Sequence, residues 1–265
     1  MIDVNAYRDS YPFRPGVLAL EFDLTYRGFE GSLAVVSLLV SPLRAIFWEE
    51  PQTANEYAHA DIRSYQQKRA AGAEIPNQLL VAVINPTLRN WERSLEQSHK
   101  ELGAVAIKLH PNYHTYHLTD SAARELLRAC GEKGLPVIVQ MRMQDTRSHH
   151  PLMQVPDVDI NEVLEAAAAT PQTTFVIGGI KWGEASSKAN DINALPNVWL
   201  DISQCEVADV LRRLIRLFGA GKLLFGTHAP LFYIKSALLK LEEARLTAEE
   251  RELITERNAR ELFRL

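Results

Sequence analysis

The chain has little cysteine. Cys130 and Cys205 lie far apart, and neither sits in a Cys-x-x-Cys pair. A disulfide framework and a thiolate zinc knuckle are therefore excluded, and a reduced, cytoplasmic chain is the expectation. No run of ~18 apolar residues is present, so no membrane span is expected. The N-terminus, Met1-Ile-Asp-Val-Asn-Ala-Tyr7, has neither a basic stretch nor an apolar one, so no signal peptide is read. There is no excess of positive charge: the net charge is −4, which gives no reason to expect nucleic acid as a partner. Low-complexity tracts, linkers and breaks in composition are missing too, which argues for one domain over residues 1–265.

What is present is a regular alternation. Short apolar segments at 2–7, 33–40, 79–85, 104–110, 136–141, 173–179, 197–203 and 223–228 read as strands. Between them run amphipathic stretches such as Asn90–Leu102, Ser121–Lys133, Asn161–Ala169 and Glu206–Phe218. Asp159 is placed to cap the helix opening at Asn161. Ser203 with Glu206, and Thr247 with Glu250, have the spacing of capping boxes. Strands that alternate strictly with helices imply a parallel sheet. Eight of them in a chain of 265 residues imply closure into a (β/α)8 TIM barrel, of class α/β.

The chemistry-bearing residues gather where strands end. Six of the eight histidines do so: His110, His114 and His117, His149 and His150, and His228. Barrel enzymes build their sites at that face. Period-two alternation then sorts the strands. Val105, Ile107 and Leu109 face helices, which turns Lys108 and His110 inward. The same reasoning places Gln140 and Arg142, Asp201 and Ser203, and Asp3, Asn5 and Tyr7 inside. Two connections look long, from Ser41 to about Glu56 and from Arg142 to about Asp159. Both follow strands and have the length of active-site lids, with Phe47 and Trp48 placed to roof a pocket. The triad His110, His114 and His117 is expected to lie on a loop, because Pro111 and Asn112 interrupt it.

Several of these segments resemble one family in order along the whole chain. Ile2-Asp-Val-Asn-Ala-Tyr7 followed by Tyr11-Pro-Phe-Arg14, then Gly103-Ala-Val-Ala-Ile-Lys-Leu-His-Pro111 and Gly134-Leu-Pro-Val-Ile-Val-Gln140, carry the first part. Leu224-Phe-Gly-Thr-His-Ala-Pro230 and the closing Thr255-Glu-Arg-Asn-Ala-Arg-Glu-Leu-Phe263 carry the second. Together they resemble the amidohydrolase-2 branch of the amidohydrolase superfamily, which includes the aminocarboxymuconate semialdehyde decarboxylase relatives. The resemblance implies the barrel and a hydrolytic or decarboxylating ancestry. It also exposes departures. Where the family opens with His-x-His this chain has Asn5 and Tyr7. The fifth-strand histidine is Gln140, the sixth falls at Gly178 or Gly179, and the eighth-strand aspartate is His228. Such a set does not rebuild a tight divalent site, so no metal and no other cofactor are expected.

The leading expectation is a metal-independent hydrolase of a small carboxylated molecule, a lactone or enol ester. In it His228 is general base, His110 stabilises oxyanion charge, and Asp201 is an alternative base. Lys108, Arg142 and Arg147 form an anion clamp, and Asn5, Tyr7, Gln140 and His149 complete the substrate site. Decarboxylation or isomerisation by the same groups stays open. So do a non-catalytic carboxylate or sugar-acid binder and a metal enzyme rewired through His110, His114, His149 or His228. The structural alternative for the cations is pairing, Arg147 with Asp145 and Arg142 with Asp201. A homo-oligomer is compatible with all of these.

Overall fold

The computed structural model describes residues 1–9, 11–13, 26–28, 30 and 34–265. Arg14 and Leu33, which belong to segments singled out above, lie outside the described residues. The strands are β1 (Ile2–Arg8), β2 (Ser37–Pro42), β3 (Asn77–Val83), β4 (Ala106–Leu109), β5 (Val137–Gln140), β6 (Phe175–Gly178), β7 (Val198–Asp201) and β8 (Leu223–Leu224). They pair in parallel in the order β1-β2-β3-β4-β5-β6-β7-β8. The first and last strands are joined by backbone bonds from Val4 N to Phe225 O, His228 N to Asn5 O and Tyr7 N to Ala229 O. The result is a single-domain (β/α)8 barrel, as the alternation predicted. No helix among the described residues is long and apolar enough to cross a membrane.

Local chemistry accounts for a few element ends. Asp159 accepts from Asn161 N at 2.9 Å and opens the helix Ile160–Ala169. Thr247 and Glu250 form the expected reciprocal capping box, at 3.1 and 2.8 Å. Ser203 does not cap. Its hydroxyl donates to Asp201 instead, and the helix starts later, at Val210. Pro111–His114 is a helical turn rather than a loop, because proline is pre-shaped for the first helical position. The connection after β2 is also tighter than its composition suggested. Leu43–Ile46 forms a 3-10 turn and a helix begins at Pro51.

The core has two shells. Leu38, Val40, Ile107, Leu109, Val137, Val139, Phe175, Ile177, Val198 and Leu200 pack outward against helices. Ile2, Val4, Leu39, Val81, Ala106, Ile138, Val176 and Leu224 fill the lower barrel, and Ala259 and Phe263 of the last helix plug its N-terminal end. Alternation holds in β4, β5 and β7 but slips in β1. There Asp3 pairs with Leu38 and Ala6 with Val40, so β1 carries one extra residue. This bulge turns both Val4 and Asn5 inward. Asp3, expected inside, faces away and accepts hydrogen bonds from Thr227 and from Asn5 N. Burial there pushes its carboxyl up to about 6.

Candidate functional site

Above the apolar floor the barrel is polar. Asn5 is its hub. Its amide oxygen accepts from Lys108 Nζ at 2.7 Å. Its nitrogen donates to Asp201 Oδ2 at 2.6 Å and to Gln140 Oε1 at 3.2 Å. Tyr7 also donates to Gln140 Oε1, at 2.9 Å. Asp201 accepts further bonds from Gly179 N at 3.0 Å, Ser203 N at 2.9 Å and Ser203 Oγ at 2.5 Å. With Asn5 that makes four donors for a carboxylate with about four lone-pair sites. Gly226 makes room: a Cβ there would lie 2.0 Å from Asp201 Oδ1. Gly178 does the same for Gln140, at 2.8 Å.

Lys108 is fully buried, with its ammonium 4.1 Å from the centre of the Tyr7 ring. Desolvation brings its pKa down to about 7, against the opposing pull of Asp201 and Asp3. Asn5 Oδ1 is the one hydrogen-bond acceptor it meets among the described residues, though an ammonium has three donors. Two residues on, His110 is equally buried, and neither of its ring nitrogens has a partner among the described residues. Burial, then His114, Lys108 and His228, hold it well below the ordinary histidine value, so its ring is neutral. Its neighbours are the edges of Tyr113 and His114, at 6.4 and 6.2 Å between ring centres.

His228 is buried rather than perched at a rim. Its Nε2 donates to Met143 O at 2.7 Å, since a carbonyl only accepts. The ring stands edge-on to Tyr7 and Phe232, at 5.0 and 5.1 Å. Its φ of +58° puts it in the left-handed region.

The arginines go elsewhere. Arg142 is buried but pairs with Asp157 at 2.8 Å and with Glu184, not with Asp201 as the pairing alternative had it. It also donates to Gly179 O at 2.6 Å. Both carboxylates come from segments beyond the strand, which strand alternation does not reach. Arg147 does pair with Asp145, at 2.8 Å, with its side chain 89% exposed. His149 Nε2 meets Gln144 O at 3.3 Å within its own loop. His114 meets Ala45 O, and His117 meets Glu162 on the surface. Thus Asn5, Tyr7, Lys108, His110, Gln140, Asp201 and His228 gather in the barrel, while Arg142, Arg147 and His149 tie down the 142–159 connection.

An apolar lid closes the mouth. Tyr7, Tyr11, Leu43, Ile46, Met143 and Leu231 pack with Phe13, Phe47, Tyr113 and Phe232. Phe47 lies 5.4 Å from Tyr11 and 6.0 Å from Tyr113, edge to face. Trp48, the other expected roof residue, pairs instead with Tyr57. Tyr113 and Met143 are not site candidates from sequence, and Tyr11 enters only through the family resemblance; the signal in the residues themselves is position, just beyond β1, β4 and β5. A cavity of about 420 Å³ sits at the opposite end, lined by Pro136, Thr174, Trp199 and Arg264.

The positions where the family resemblance would put metal ligands do not fit a divalent ion. Asn5 and Gln140 turn their oxygens to Lys108, Asn5 and Tyr7, and a lysine ammonium stands among them. Among the described residues no group of three His, Cys, Asp or Glu side chains is arranged to hold a metal.

Residues 47–265 match the family Amidohydro_2, described as amidohydrolase. No curated protein matches the chain. Among similar solved structures is a 2,6-dihydroxybenzoate decarboxylase complexed with 2,6-dihydroxybenzoate (TM-score 0.69, 16% identity, covering 100% of this chain and 99% of that one). Another is a 5-carboxyvanillate decarboxylase from Sphingomonas paucimobilis (TM-score 0.68, 14% identity, 100% and 98%). A third is a dihydroxybenzoic acid decarboxylase from Polaromonas sp. JS666 with bound manganese and the inhibitor 2-nitroresorcinol (TM-score 0.62, 19% identity, 88% and 82%). At such identities the likeness is one of fold.

Proposed function

Because this chain belongs to the amidohydrolase family, we propose that it acts on a small aromatic carboxylic acid bound beneath the lid, and that the reaction is decarboxylation. The observation that carries this reading is His110: two ring nitrogens, fully buried and without a hydrogen-bond partner among the described residues, in a barrel whose other polar groups are largely paired. Buried polar atoms normally have partners, so an imidazole without one is read as waiting for a ligand. The lid rings Tyr11, Phe47, Tyr113 and Phe232 suit an aromatic ring in edge-to-face contact. The solved neighbours named above, crystallised with dihydroxybenzoate or nitroresorcinol, support that substrate class.

Decarboxylation is favoured over hydrolysis of a lactone or enol ester by the apolar character of the residues gathered beyond the strand ends. Under an apolar lid a carboxylate loses its hydration, which eases its departure as carbon dioxide. Hydrolysis needs a held and activated water instead. In the reaction the bond from ring carbon to carboxyl carbon breaks, carbon dioxide leaves, the electron pair stays on the ring carbon, and a proton drawn from solvent takes the vacated position. His110 hydrogen-bonds the substrate. Asp201, saturated by its four donors, is a positioning residue that fixes Asn5 and the turn at Gly179. His228 anchors the lid through Met143.

A second reading, ligand binding without turnover, is favoured by the same saturation of Asp201 and Gln140. The test uses a panel of hydroxybenzoates and aryl lactones. Carbon dioxide release matched by loss of the acid supports the proposal. Ring opening of a lactone replaces it with hydrolysis. A thermal shift with neither product supports the binder.

A further inference from the structure

We infer that the buried ammonium of Lys108 is the resident cation of this site and does the charge-neutralising work for which other barrels of this shape hold a metal ion. The inference rests on the reading that the mouth takes a carboxylate, and deepens it.

Three observations converge. Lys108 sits on the inward face of β4, wholly buried, at the centre of the polar layer. Its Nζ meets one acceptor among the described residues, Asn5 Oδ1, and faces the π-cloud of Tyr7. A buried ammonium leaves donors unused only at a cost. A bound carboxylate would satisfy them at charge-assisted strength. Second, His110, one alternation step further up the same strand face, has no hydrogen-bond partner for either ring nitrogen among the described residues. An anion between them gains a cation on one side and a neutral N–H on the other. Third, Asn5 and Gln140 are oriented by lysine and tyrosine donors, so they present no carboxylate or imidazole toward a metal. A divalent ion placed among them would meet the lysine's charge at short range.

The substrate class follows. One buried positive charge matches one carboxylate. A dianion would leave a charge unpaired, and a neutral amide or ester would leave the ammonium unsatisfied. The class is a singly charged small aromatic acid.

The experiment uses the whole protein treated with a chelator and dialysed, with benzoate and uncharged benzamide as probes. Thermal stability is read at increasing probe concentration, because a ligand of the folded state raises it. Chelated wild type should be stabilised by benzoate and much less by benzamide. Lys108→Met should lose at least ~90% of the benzoate response while its response to benzamide is unchanged, as expected for a charge removed from a buried site. Metal analysis should find far less than one equivalent of manganese or zinc in wild type. The inference is overturned if folded Lys108→Met keeps the benzoate response. It is equally overturned if chelation abolishes that response and manganese restores it. Should Lys108→Met not fold, the chelated wild type decides alone, by keeping or losing its preference for benzoate. None of these readouts involves turnover. A failed decarboxylation assay with an intact lysine-dependent benzoate response therefore sinks the reaction and leaves Lys108 standing.

Discussion

The Lys108 ammonium and the Asp201 carboxylate do not touch; one amide, that of Asn5, lies between them, accepting from the lysine at 2.7 Å and donating to the aspartate at 2.6 Å. Chemistry fixes the amide's orientation, since an ammonium only donates and a carboxylate only accepts. The arrangement holds a positive and a negative charge in one barrel without spending the whole lysine on the aspartate. A direct pair would have neutralised the cation. The relay leaves part of it available to a ligand.

The first prediction concerns pH. The groups that act on Lys108 are Asp201 on β7, Asp3 on the outward side of β1, the Tyr7 ring on β1 and His110 two residues on along β4. Lys108 carries its charge below about 7 and loses it above. Benzoate affinity should therefore fall as pH rises from 7 to 9, by up to ~10-fold per unit. His110 is held neutral well below its ordinary range, so it adds no inflection near 6.5. Stability without ligand runs the other way. The folded pKa lies below the ordinary 10.5, so the unfolded chain binds more protons between those values and stability rises with pH there. Calorimetric titration and thermal melts from pH 6 to 9 check both slopes.

His110→Phe should leave the fold intact or firmer, because no protein hydrogen bond is lost. Turnover should drop by ~10² or more. A lower melting temperature together with full turnover would assign His110 to structure.

Arg142→Met should be costly for another reason. It takes the guanidinium from Asp157 and Glu184, both only part-exposed, and leaves them Lys181, whose Nζ meets Asp157 at 3.4 Å and whose backbone N donates to Glu184 at 2.8 Å. Breaking such a pair costs ~3 kcal/mol, toward the low end for buried pairs because solvent reaches the carboxylates. Hydrogen exchange should quicken through 143–158, while the preference for benzoate over benzamide persists. Loss of that preference in a folded variant would return Arg142 to the role of clamp.

Gly226→Ala tests the packing beneath the relay. A Cβ there would stand 2.0 Å from Asp201 Oδ1 and 3.1 Å from Asn5 Cβ. Neither can retreat without breaking the network, so the cost should be ~3 kcal/mol or more, at or above the usual range for overpacking. An unchanged denaturation midpoint would mean that the network is soft.

His228→Asn keeps a residue that tolerates the left-handed backbone at φ +58°. It gives up the bond to Met143 O. A loss of ~1 kcal/mol is expected, with faster exchange at 143–158 and a raised KM. Loss of kcat with KM unchanged would make His228 the base that its position at the end of β8 suggested.

What the sequence determined is what period-two alternation and helix-end chemistry encode locally. Val105, Ile107 and Leu109 against Lys108 and His110 settled the inward face of β4, and β5 and β7 followed the same arithmetic. The capping pairs at Asp159 and Thr247 are equally local. The tertiary structure decided the rest, because partners in a barrel come from distant strands. Asn5 meets Asp201 across 196 positions of sequence. The one-residue bulge that turns Asn5 inward and Asp3 outward shows itself only in the register with β2. Arg142 reads as a clamp from its strand face alone, but its length carries it past the mouth to carboxylates on two later segments. That the His110 ring nitrogens meet no hydrogen-bond partner among the described residues is a property of packing: a sequence names the groups that can bond, and only the fold leaves one of them waiting.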